Sequence, residues 1–476
     1  MTARLAIVAL ALVAWTGRAD PPPAPLPLAE AITQALAGNR ELATAAMNLG
    51  LGDLAVGDAL NAFALTWRPE GAAAATDAGS AARVGLSATR RTAVGAELGA
   101  GLAVDDYGPD AAVRRAGSLR VELRQPLLRG RGSAVQLDDV FAARAGRQTA
   151  RRSFEARRAA LVLAVVQAHQ ELARLQAQLA YDEQAVQRYA RLRRLTQARE
   201  QQGRASRVDS LRVEFQYGQA ESALTATRER LDAQRGDLCE LLGRPPDAPL
   251  AVEPGPPLRL DDAPAAAAVA LALSNRLDYA EALQAVGEAR RGIRVARQRV
   301  LPTVDLVARY GRNGTGDSIG DALDLPDETW SVGLAGDSDL HRRAERSALQ
   351  RELIGAAAAE EDLLTLENRI RREVQQAVQA YARAAQQTEL DARNLELARD
   401  RARLARRLFE LGRGDNFTAT DAEAELLRAQ SRQLENESDI TVAAFQLKQA
   451  TGTLVESPDE LKPRPPVPAV MGQVGP

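Results

Sequence analysis

The sequence predicts a mainly α fold with a smaller β portion, built as one helix–strand–strand–helix unit written twice. Three observations predict it. The stretch Gly203–Gly243 recurs in register at Gly412–Gly452, with Glu214 on Glu423, Ala220 on Ala429 and Gly243 on Gly452. A long polar–apolar segment precedes each copy, and segments of alternating polarity precede each long one. A duplicated unit with very long helices implies an elongated tube or bundle, not a compact enzyme.

The composition agrees. Aromatic residues are only 4% of the 476, and Ala, Arg, Leu, Glu and Gln fill the helical parts, as in long helices and coiled coils. Almost all basic charge is Arg, with Lys only at Lys448 and Lys462, which reads as codon bias. The net charge of −2 gives no reason to expect nucleic acid as a partner.

In chain order, residues 1–19 read as a secretory signal. Arg4 precedes the apolar run Leu5–Trp15, and Gly17-Arg18-Ala19 offers small residues for cleavage. A Pro-rich linker follows at 20–27. The first repeat is expected over 28–243. Leu28–Asn61 reads as a helix, and a β segment lies at about 63–126. There the period is two in four stretches: Phe63/Leu65/Trp67, Val84/Leu86/Ala88, Val94–Leu102 and Leu119/Val121/Leu123. The stretch Val84–Val104, with a tight turn at Arg90-Arg91-Thr92, is either two extra strands or one broken strand.

The first long helices are expected at 136–202 and 208–242. At about 1.5 Å per residue, the longer one approaches 100 Å. Leu161, Val165, Ala168, Leu172, Leu175 and Leu179 step by four and three along it, and Val186 and Tyr189 continue that seam. A Pro-rich linker occupies 244–262. The second repeat is expected over 263–452. Its β segment lies at about 302–335, where Val304, Leu306, Ala308 and Tyr310, and then Trp330, Val332 and Leu334, alternate with polar partners around a Gly/Asp-rich loop. Its long helices are expected at 341–411 and 418–451, with Leu363, Leu366, Ile370, Val374, Val378 and Tyr381 on one stripe. The tail 453–476 is Pro-rich and is expected to be disordered.

Strands with one apolar and one polar face suit an outer-membrane barrel wall. The same pattern also serves a half-buried strand of a soluble sandwich, but here no sequence remains to cover the faces. The lipid side would carry Leu119, Val121, Leu123, Val304, Leu306, Trp330, Val332 and Leu334. Four to six strands cannot close a membrane barrel, which needs about eight or more, and open edges are not tolerated in lipid. Several copies of the chain must therefore share one barrel.

Four segments together resemble the TolC-like outer-membrane efflux family over nearly the whole chain after residue 19. They are LRVELRQPLLRGRG (Leu119–Gly132), RQRVLPTVDLVARYGRNG (Arg297–Gly314), TWSVGL (Thr329–Leu334) and LFELGRGDNFTATDAEAELLRAQ (Leu408–Gln430) with its first-repeat partner. The resemblance implies a homotrimer, with one membrane β-barrel continued by a long periplasmic α-helical tunnel. It implies a passive outer-membrane channel in a Gram-negative bacterium, docking with a periplasmic adaptor protein and an inner-membrane transporter. Four strands from each of three chains would make a barrel of about twelve. Two features depart from the family pattern: the four alternating stretches in 63–126, and Ala335–Arg346 after the last strand.

The resemblance also places function at the two helix–turn–helix tips. Asp421 matches a gate aspartate of the family. Thr418 stands where a second often lies, and Asp415 is close enough to substitute. Asp209 follows Gly203 by six residues, and it reads equally as a gate acid or as a first-turn acid that offsets the helix dipole. A threefold ring of such carboxylates would favour cations. Gly203 and Gly412 end the long helices, where a positive φ is needed. Arg204 and Arg413 follow them as candidate adaptor contacts.

Catalysis has little support. His169 and His341 are the only histidines and fall in different repeats. Cys239 is the only cysteine, so neither an intrachain disulfide nor a CxxC metal site can form. No cofactor is expected. The rival reading is a soluble periplasmic coiled-coil adaptor or scaffold, which leaves the alternating strands without purpose.

Overall fold

The computed structural model describes residues 25–76, 79–107, 114–261, 264–339 and 341–464. The expected signal segment, most of the first linker and the end of the tail lie outside them. The elements run α1 (Leu28–Gly38), α2 (Arg40–Asn61), β1 (Thr66–Thr76), β2 (Gly79–Arg91), β3 (Glu97–Asp106), β4 (Arg115–Pro126), α3 (Ser133–Gln136), α4 (Asp138–Gln201), α5 (Arg207–Leu241), α6 (Ala265–Asn275) and α7 (Leu277–Arg299). Then follow β5 (Thr303–Gly316), α8 (Ile319–Ala322), β6 (Asp327–Asp337), α9 (Arg343–Glu410) and α10 (Asn416–Ala450). The single helix expected over 28–61 is two, because Asn39 has an extended ψ of 126°. No helix among the described residues is long and apolar enough to cross a membrane.

The chain divides into two units. One comprises Met1–Asn39, Leu161–Arg259 and Ala384–Val442. Its core joins Val165, Ala168 and Leu172 of α4 to Leu238 and Cys239 of α5, and to Ala31 and Ala35 of α1. The seam read from the sequence is thus the buried one. The linkers are not loose. Leu26 forms a parallel bridge with Val252, and the Leu26 N–H donates to the Ala251 carbonyl at 2.8 Å. Leu250 and Val252 then join the core.

The other unit comprises Arg40–Ala160, Leu260–Arg383 and Ala443–Pro476. Here Ala268 and Ala272 of α6 pack on Ile370 and Val374 of α9. The described tail residues, 453–464, are ordered, against expectation. Leu461 is buried, and Arg152 on α4 donates from Nε to its carbonyl at 3.1 Å. Proline removes backbone donors, yet it does not prevent side chains such as Leu461 from docking.

The β portion is one six-stranded sheet of order β1-β2-β3-β4-β5-β6, antiparallel at every step. The expectation of four strands per chain is overturned: β2 and β3 are two separate, fully paired strands. Their turn is also later than Arg90-Arg91-Thr92. Arg90 and Arg91 are still paired, with Leu98 and Glu97. The chain reverses at Thr92–Ala96, where the Thr92 N–H donates to the Ala96 carbonyl at 2.8 Å. Gly95 supplies the positive φ of 98°, and a Cβ there would meet Pro126 Cγ at 2.9 Å. The last strand, expected to about residue 335, runs on to Asp337, into the Ala335–Arg346 stretch that departs from the family pattern.

Candidate functional site

The four helix ends Gly203, Gly243, Gly412 and Gly452 share one geometry. Each glycine has φ near +70°, donates its N–H three residues back, and is followed by an N–H that donates five residues back. Arg204 thus caps the Arg199 carbonyl at 2.8 Å, and Arg413 caps that of Leu408 at 3.0 Å. This is the Schellman arrangement, which satisfies the last carbonyls of a helix and needs a residue free to adopt positive φ. The Arg204 and Arg413 side chains are left exposed.

The first tip runs from α4 into α5. Ser206 is the N-cap, and it forms a capping box with Asp209: the Asp209 N–H donates to Ser206 Oγ at 3.2 Å, and the Ser206 N–H donates to Asp209 Oδ2 at 3.1 Å. Of the two readings left open for Asp209, the structure shows capping in the protomer. The second tip runs from α9 into α10. The Thr418 N–H donates to Asp415 Oδ1 at 2.8 Å. Hydrogen bonds from Thr418, side chain first and then backbone, hold the Asp415 carboxyl below the usual carboxylate range. Asp415 is therefore the helix cap of the second tip, and Thr418 is its exposed partner.

Asp421 lies on the next turn of α10. Its Oδ2 accepts from Arg401 Nη2 on α9 at 2.7 Å, and Arg401 also pairs with Glu425. The two tips touch through Asn416. Its Nδ2 donates to the Asp209 carbonyl at 3.2 Å, and Thr196 Oγ1 lies 3.5 Å from its Oδ1. Arg199 of α4 donates to the Phe409 carbonyl at 2.6 Å and stacks 4.1 Å from that ring.

Sequence reasoning missed the most enclosed charge of this region. Glu423 is buried, held by Arg188 of α4 at 2.8 Å and by Arg406 of α9. Beside it, Tyr189 is pushed up to about 12, by burial first and then by the Glu423 charge. The repeat alignment had marked Glu423 through Glu214, but nothing in the sequence named its partners.

The sheet has two chemically distinct faces. Partners in an antiparallel ladder share a face, so each row can be traced from edge to edge. One row reads Trp67, Ala88, Ala100, Val121, Tyr310, Trp330. Neighbouring rows on that face pair Leu98, Leu123, Ala308 and Val332, and, across β2, β3 and β4, Leu86, Leu102 and Leu119, a row that ends in Arg312 and Glu328. All eight residues expected on the lipid side lie on this face, Val304 through its ladder partner Gly336. Trp67, Val84, Leu86, Leu98 and Leu102 join them from β1, β2 and β3. The opposite face is polar and ion-paired: Arg124 with Asp305 at 2.5 Å, Arg309 with Glu122 at 3.2 Å, and Arg91 with Glu97 at 2.9 Å.

Comparison with known proteins agrees with this geometry. Residues 268–453 match the family model described as Outer membrane efflux protein. Among solved structures, CmeC of Campylobacter jejuni, an outer membrane channel, superposes with a TM-score of 0.70 at 13% identity, over 91% of this chain and 87% of that one. The outer-membrane channel OprN gives 0.69 at 18% identity over 90% of each chain. The outer membrane protein VceC of Vibrio cholerae gives 0.68 at 17%, over 89% of this chain and 96% of that one. No curated protein matches by sequence.

Proposed function

We infer that this chain, whose residues 268–453 match the outer membrane efflux protein family model, is throughout a TolC-like outer-membrane channel of a Gram-negative bacterium. It is a passive conduit in a tripartite efflux or export system, working with a periplasmic adaptor and an inner-membrane transporter, and it is not an enzyme. Two helix–strand–strand–helix repeats make up the protomer, the first carrying an additional β hairpin. Three protomers share one membrane barrel, and their long helices continue it as a periplasmic tunnel.

One observation carries this reading. The sheet exposes an apolar face, with Trp330, Val332 and Leu334 all more than 60% exposed, while its other face is laced with ion pairs. Water does not favour a wide apolar sheet face, whereas a bilayer does, and only a closed barrel satisfies its edges there. A soluble coiled-coil scaffold has no use for such a sheet.

At the tips, Asp421, Asp415, Thr418 and Asp209 would approach their symmetry mates near the tunnel axis and set cation preference. The exposed Arg204 and Arg413 would meet the adaptor. The test is extraction from outer membranes, mass measurement in detergent and conductance in planar bilayers. A conducting trimer that needs detergent is expected. A stable monomer that keeps its β signal would overturn the shared barrel.

A further inference from the structure

We propose that the barrel of this protein has eighteen strands, six from each protomer, and that β1 of one copy pairs with β6 of the next. The proposal rests on the shared-barrel reading above and adds the seam and the strand count.

The first argument is length. A membrane-crossing strand needs about 9–11 residues. β1 has 11 residues and β2 has 13, against 10, 12, 14 and 11 for β3 to β6. The β1–β2 hairpin is thus as tall as the wall beside it.

The second argument is the continuity of both faces. The ladder row from Trp67 to Trp330 runs through all six strands without a register break. Both tryptophans are exposed, at 61% and 75%. Exposed aromatic and apolar side chains along one row suit a wall that faces lipid. On the polar side, Ser87 Oγ on β2 donates to Glu70 on β1 at 2.9 Å, and Arg83 on β2 lies 3.8 Å from Asp105 on β3. A hairpin lying outside a smaller barrel would put these charges against lipid.

The third argument is anchoring. The turn between β2 and β3 is fastened where β4 leads into α3. The Gly132 N–H donates to the Val94 carbonyl at 3.2 Å, and Pro126, Gly130 and Gln136 crowd the side of Gly95 where a Cβ would stand.

The edges then fit. Among the described residues the outer sides of β1 and β6 carry no ladder partner. Six is even, so β1 and β6 of neighbouring copies meet antiparallel, as barrels of this class require. Pro69 withdraws one N–H from β1, which leaves the other donors of that strand intact. Because diameter grows roughly linearly with strand number, this barrel would be about 1.5 times as wide as one of twelve strands.

Disulfide trapping tests the seam in the full-length protein assembled in membranes, with Cys239→Ser to remove the native thiol. Ala72→Cys on the lumen face of β1 is combined in turn with Ser331→Cys, Gly333→Cys and Ala335→Cys on β6. Covalent trimers from at least one of these combinations are expected. Gly101→Cys on β3, combined with the same three, is expected to give none. Trimers linked through Gly101→Cys would mean a twelve-stranded closure at β3 and would overturn the proposal. So would the absence of any link in a trimer confirmed by mass. A monomer in detergent would instead bring down the shared-barrel reading itself.

Discussion

Arg401 on α9 binds Asp421 on α10 at 2.7 Å and reaches Glu425 one turn further along. The acid placed at the gate by family register is therefore already partnered inside its own protomer. Both side chains of the Arg401–Asp421 pair are nearly half exposed, so the pair is worth at most about 1 kcal/mol. Such a contact can open under load.

This arrangement predicts opposite effects of its two halves. Asp421→Asn should lower cation preference and weaken block by multivalent cations. Arg401→Gln, which frees the carboxylate, should raise both. Reversal potentials and block in planar bilayers would decide. Unchanged selectivity in both variants, as correctly assembled trimers, would reduce the pair to an ordinary interhelical contact.

Asp209 should behave differently, because its carboxylate is tied to Ser206 in the capping box. Ser206→Ala is expected to cost about 1 kcal/mol through the lost cap. Asp209→Asn should change selectivity less than Asp421→Asn does. Thermal melting in detergent, read beside the bilayer currents, separates stability from conduction. A selectivity change from Asp209→Asn as large as that of Asp421→Asn would restore it as a gate acid.

Much of this was legible in the sequence because it depends on local period and local backbone. The seam Val165–Leu172, the alternation in β4 to β6 and the positive-φ glycines are each set by residues a few positions apart. What was hidden depends on distant partners. Glu423 is one carboxylate among 63 acids facing 61 bases, and only folding selects Arg188 and Arg406 for it. β1 was obscured past Trp67 by Pro69, Gly71 and the run Ala72–Ala75, which carry little alternation. The docking of Leu461 onto α4 joins residues 309 apart, beyond any periodic signal.

The faces of the sheet predict a sharp asymmetry between neighbours in β4. Val121 lies in the tryptophan row, while Glu122 pairs with Arg309 on the other face. Val121→Arg should cost about 2–4 kcal/mol at mid-depth and abolish trimer assembly. Glu122→Gln loses only a half-exposed ion pair and should assemble. Trimer yield by mass in detergent checks this, and the reverse ranking would mean that the charged face meets the lipid.

His169 predicts a dependence of stability on pH. It is fully buried in the core of α4, α5 and α1, with Nε2 donating to the Leu26 carbonyl at 3.0 Å. Burial pushes the imidazole below its ordinary value, and the Leu26 bond opposes this only in part. The unfolded chain then binds a proton more readily than the folded one, so stability rises with pH. The contribution of His169 is complete above the unfolded value, about 6.5, and is lost as pH falls below it toward the lower folded value. The thermal midpoint should therefore drop between pH 7.5 and 5.5. In His169→Gln, which keeps an N–H donor for Leu26 but cannot titrate, that drop should be smaller. Equal drops in both proteins would assign the acid sensitivity to other groups and leave His169 a packing residue alone.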